Sequence, residues 1–155
     1  MIKSITGADV RKLRLRLKLN QSDFWNRVGM IQVRGSYYEL GKNKIPLPLQ
    51  SLLLLAYGSD RDALRFIRAL RRGIHSRDGG SHRINHLTLR EIRSKFKLSQ
   101  SAFWERVGVT QTGGCHYEAG DSPVSKTVRY LLTLVYGSDE ESEKLFNQLR
   151  EKSTA

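Results

Sequence analysis

The chain has 155 residues, with 27 Lys and Arg against 15 Asp and Glu, giving a net charge of +12. At 39% apolar and 27% charged residues it is too apolar for a disordered polycation, and its length allows one medium domain or two small ones. The charge favours an anionic partner, the longest apolar run (Leu52 to Ala56) is too short for a membrane span, and one cysteine, Cys115, excludes an intrachain disulfide or a cysteine-based zinc site.

In chain order, Thr6 can cap a first helix running to about Lys18, with Val10, Leu13 and Leu17 at helical spacing. Asn20 caps a second, which carries Phe24 and Val28 and stops at Gly29. A third spans about Gln32 to Leu40 and ends at Gly41. Pro46 and Pro48 suit the first turn of a fourth, ending at Gly58, and Ser59 caps a fifth that runs to about Arg72. The segment 73–83, GIHSRDGGSHR, has no apolar periodicity and reads as a flexible linker. The whole pattern then recurs. LKLNQSDFWNRVG (17–29) returns as FKLSQSAFWERVG (96–108), and LLLLAYGSD (52–60) as LLTLVYGSD (131–139), both at a shift of 79 without a gap. The expected architecture is all-α, two tandem five-helix domains, 1–72 and 84–155, joined by a short flexible linker. Eleven such residues average roughly 18 Å end to end and stretch to about 36 Å, so adjacent half-sites on a nucleic acid would be reachable in direct or inverted orientation.

The distinctive segment is a helix ending in Gly, three residues, then another helix: QSDFWNRVG-MIQ-VRGSYYELG, with QSAFWERVG-VTQ-TGGCHYEAG below it. It resembles the helix-turn-helix of the lambda-repressor-like (XRE) family, including the upstream Arg and the downstream Glu-x-Gly, and the resemblance spans both repeats. It implies a sequence-specific transcriptional regulator of double-stranded DNA, a repressor of a phage or mobile-element operon that acts on its own promoter, in the cytoplasm of a bacterial or phage-infected cell. Carried over by position, base readers would be Gln32, Val33, Arg34 and Tyr37 in the first copy and Gln111, Thr112 and His116 in the second. Gln21, Lys42, Lys44 and Gln100 would hold phosphates, while Asp121 and Ser122 stand where a matching grip would be in the second copy. Arg14 with Glu39, and Arg93 with Glu118, take the family's positions for structural ion pairs.

Other residues have plainer roles. Phe24, Tyr38 and Tyr117 belong to the core, and His75, His82 and His86 fall in or beside the linker, so neither a metal nor a cofactor is implied. No phosphate-binding Gly loop and no nucleophile beside a base suggests an enzyme. Where the family has Ala after Phe this chain has Trp25 and Trp104, and where it has Ile on the reading helix it has Gly35 and Gly114; each indole should fill the space over its Gly. The charge is unequal, 15 basic against 5 acidic residues in 1–72 but 10 against 9 in 84–155. Two readers of unequal grip on unlike half-sites follow, with a second copy given over to homodimerisation or to holding a protein, as in an antitoxin or adaptor, as the alternative.

Overall fold

The computed structural model describes residues 4–74 and 84–151, all helix and connecting turn. Within them α1 (Gly7–Arg16), α2 (Gln21–Arg27), α3 (Gln32–Glu39), α4 (Leu47–Tyr57) and α5 (Asp60–Leu70) form the first repeat. The second contains α6 (His86–Lys95), α7 (Gln100–Glu105), α8 (Gln111–Ala119), α9 (Lys126–Tyr136) and α10 (Asp139–Arg150).

Caps set most of these boundaries. Thr6 and Asp9 make a reciprocal capping box on α1, Asn20 accepts from Asp23 N, Ser59 from Asp62 N, and Pro46 and Pro48 open α4 without needing the amide hydrogens that a first turn leaves unpaired. Two helices stop earlier than their periodicity suggests. α1 ends at Arg16 because Lys18 is left-handed (φ 57°), as is Lys97 (φ 53°) in the second repeat. α5 ends at Leu70, where the chain turns through Gly73 (φ 78°) to bury Ile74. Residues 75–83, with His75 and His82, lie outside the described residues.

One continuous core runs through both repeats, from Val10, Phe24 and Leu52 to Phe103, Leu131 and Leu149. α4 packs on α9 and α10, and α5 touches α9. The polar contacts across this junction are reciprocal. Arg71 donates to the carbonyls of Leu134 (2.8 Å) and Gly137 (3.0 Å) and pairs with Asp139 (2.7 Å). Arg150, the same position 79 residues on, donates to Leu55 (2.9 Å) and Gly58 (2.8 Å) and pairs with Asp60 (2.6 Å). Each guanidinium thus covers carbonyls left without an intrahelical partner at the C-terminus of the other repeat's fourth helix, where a cation suits the helix dipole. When position i meets j′ and i′ meets j, the two halves are related by a local two-fold axis. The relative placement of the repeats is therefore set by this packed junction.

Candidate nucleic-acid interface

Within each repeat a short helix, a Gly turn and a second helix are locked by one aromatic contact. Gly29 and Gly108 close the turns in the left-handed region (φ 76° in both), which costs Gly nothing. The indoles of Trp25 and Trp104 are fully buried against Gly35 and Gly114, and a Cβ at either glycine would collide with the Cγ and Cδ1 atoms of the ring. The missing side chain on α3 and α8 is thus the space that the indole occupies.

The indole also has a polar anchor that no sequence pattern announces. Trp25 Nε1 donates to Glu39 Oε1 (3.0 Å), and Trp104 Nε1 to Glu118 Oε1 (3.0 Å). Arg14 meets the same Glu39 carboxylate with two nitrogens, Nε at 2.7 Å and Nη2 at 2.9 Å, and Arg93 meets Glu118 at 2.9 and 3.2 Å. A third donor comes from the amides of Gln21 (3.1 Å to Glu39) and Gln100 (3.2 Å to Glu118). Both carboxylates are buried, 8% and 5% exposed, so pairing has to offset desolvation. Burial acts to raise each carboxyl; the hydrogen bonds from Arg, Gln and Trp, with the Arg charge, outweigh it and hold Glu39 and Glu118 below the ordinary carboxylate range. The carboxylate thereby ties α1 or α6 to the helix that supports the reading helix and to the reading helix itself.

α3 and α8 present their leading residues to solvent. On α3, Val33 and Tyr37 are 55% and 42% exposed and Arg34 is exposed, while Gln32 is half-buried and donates to Gln21 Oε1 (2.7 Å). Gln21 is accordingly turned inward, bridging Gln32 to Glu39, so its side chain faces the buried carboxylate and the amide of Gln32. Gln100 is likewise engaged by Glu118. Lys42 and Lys44 are exposed beyond α3, with Lys42 Nζ 5.3 Å from the Tyr37 ring centroid. On α8, Gln111, Thr112 and His116 are exposed, and His116 Nδ1 lies 3.2 Å from Asp121 Oδ2. Tyr38 is buried against Trp25, whereas Tyr117, placed in the core from the sequence, is only half-buried.

The turns themselves reach across the junction. Thr127, at the start of α9, donates to Val28 O (3.0 Å), and a Cβ on Gly29 would lie 3.2 Å from Thr127 N. In the mirror contact, Gly108 sits against Leu47 and Pro48 at the start of α4. Arg106 Nη1, at the end of α7, donates to Leu70 O (3.2 Å) and Arg72 O (2.8 Å). Each helix-turn-helix is therefore braced by the opposite repeat, and α3 and α8 are held at a fixed mutual orientation. Among the described residues no helix is long and apolar enough to cross a membrane.

No curated protein and no solved structure matches the chain. The family model for the RsaL-like helix-turn-helix domain matches twice, over residues 11–56 and 90–135, each match running from the first helix of a repeat to the end of its fourth. Together the matches cover more than half of the sequence, and the chain belongs to the RsaL-like helix-turn-helix family, as a tandem protein with two DNA-binding domains.

Proposed function

We propose that the protein is a sequence-specific double-stranded DNA-binding transcriptional repressor in which one chain performs the work of a two-fold dimer. The observation that carries this reading is the reciprocal bracing of the two turns, which pairs α3 and α8 rigidly about a local two-fold axis. A helix of this size enters the major groove, and readers related by such an axis suit inverted half-sites about one helical turn apart. Base contacts fall to Gln32, Val33, Arg34 and Tyr37 in one half-site and to Gln111, Thr112 and His116 in the other. Because these sets differ, the operator is inverted in orientation yet unlike in sequence. Lys42 and Lys44 hold phosphates. Gln21 and Gln100 do so through the first turns of α2 and α7, with their side chains orienting the carboxylate below. The resemblance to XRE-type repressors supports repression, action on its own promoter and a phage or mobile-element setting in a bacterial cytoplasm.

Selection of the full chain on random duplex DNA tests this directly. The expected result is two unlike half-sites in inverted orientation, bound by one chain per duplex. A single enriched half-site, or two chains per duplex, would overturn the two-reader reading in favour of a second repeat that dimerises or holds a protein.

A further inference from the structure

The leading edges of α3 and α8 differ in a way that base hydrogen bonding does not explain. The N-cap of α8 is Thr110, whose hydroxyl accepts from Gly113 N (3.1 Å). The matching residue of α3 is Ile31, among the poorest N-cap types, since its side chain has nothing to offer the free amides. Ile31 is 65% exposed, and Val33 beside it is 55% exposed where α8 has Thr112. Two branched aliphatic side chains thus flank Gln32 in water, at a position where a hydroxyl would serve the helix better. Gln32 is drawn toward Gln21, which leaves the aliphatic pair foremost.

The major groove offers one apolar base substituent, the 5-methyl group of thymine. We propose that Ile31 and Val33 read thymine methyl groups in the half-site facing the first repeat. The proposal rests on the DNA-reading function argued above and adds the base class that this repeat selects. It also gives the lost cap a reason: contact with the methyl takes the place of a local hydrogen bond. Coverage by a protein surface would bury the same side chains without any dependence on thymine.

Deoxyuridine separates these, because it lacks only the methyl and keeps every hydrogen-bonding group of thymine. Each thymine of the selected operator is replaced singly by deoxyuridine and the affinity of the full chain measured. Loss of one buried methyl corresponds to about a fourfold weakening, expected at one or two thymines of one half-site. The double variant I31S/V33S should bind the thymine and uracil duplexes equally well at those positions. Its fold is preserved, because the hydroxyl introduced at position 31 can cap α3 as Thr110 caps α8. Equal affinity of the unaltered chain for all the substituted duplexes would overturn the proposal while leaving DNA reading intact. So would persistence of the methyl effect in the double variant. If no sequence is enriched at all, the DNA-reading function falls and this inference falls with it.

Discussion

Replacing Trp104 and Gly114, singly and together, interrogates the joint that sets the reading helix. The Trp104 indole is 0% exposed, so Trp104→Ala removes a whole ring from a packed site at a cost of about 3 to 5 kcal/mol. It also strips one of the donors from the Glu118 carboxylate, though Arg93 and Gln100 remain. Gly114→Ala would be favoured by about 1 kcal/mol on helix propensity alone. Here, however, the new Cβ collides with the Cγ and Cδ1 atoms of the indole, and overpacking of about 1 to 3 kcal/mol outweighs that gain. In the double variant the methyl enters the space left by the ring, so the overpacking disappears and the propensity gain is recovered. The double change should therefore be less damaging than the sum of the singles by about 2 kcal/mol, well above the roughly 0.5 kcal/mol within which independent sites add. Denaturant unfolding of the four proteins, with m-values compared, measures this. Additivity would show that indole and glycine do not meet, and the account of the joint would be wrong.

Arg71→Ala and Arg150→Ala should each lower stability by about 2 to 3 kcal/mol, since each removes charged hydrogen bonds to half-buried helix-end carbonyls; thermal melts of the two variants should be closely alike, and a harmless Arg150→Ala would refute the reciprocal junction. The pieces 1–75 and 82–155, expressed apart, would expose the apolar faces of α4, α9 and α10, and should recombine one to one when mixed; gel filtration showing two independent folded monomers would contradict the shared core. Glu39 and Glu118 are held below their unfolded values, so their contribution is complete above the ordinary carboxylate range and is lost as pH falls through the depressed folded values. Melting temperature should accordingly fall on acidification below about pH 4, and Glu118→Gln should start lower but lose less over the same interval; parallel acid limbs would show that the carboxylate is not responsible. Lys44→Ala should weaken all DNA sequences alike, whereas Gln111→Ala should relax base preference in one half-site at about 1 to 3 kcal/mol, as selection on each variant would report.

Repetition, caps and glycine stops carry strong local signals, which is why the ten helices among the described residues and the two helix-turn-helix units were legible in the residues alone. So were the ion pairs of Arg14 with Glu39 and Arg93 with Glu118, through their place in a recognisable pattern, and the exchange of volume between Trp25 and Gly35. The junction was not legible. Arg71 and Arg150 stand among other arginines at helix ends, and nothing local distinguishes a guanidinium that caps a helix in the other repeat from one in solvent. Leu49, Leu52, Leu53 and Leu55 announce a buried helix, but a helix buried within one repeat and one buried between two have the same composition. The inward turn of Gln21 was hidden for a similar reason: an amide at the start of a helix can serve a phosphate or a carboxylate, and only the position of Glu39 decides.

The placement of charge bears on whether the second repeat reads DNA. Residues 59–72, around α5, hold five Arg against two Asp, and the matching 138–151, around α10, hold two basic residues against five acidic. Most of the imbalance between the repeats therefore lies on these two helices, where Arg61, Arg65, Arg68 and Arg72 are exposed and the matching positions are Glu140, Lys144, Asn147 and Glu151. The four helices that build and brace each reading unit are less unequal, with nine basic against three acidic residues in 5–58 and seven against four in 84–137. A positive second unit beside an acidic fifth helix is the charge pattern expected where the unit, and not that helix, faces the polyanion. Both units carry the sign that a phosphate backbone requires, and the difference in charge between the repeats is concentrated on their fifth helices.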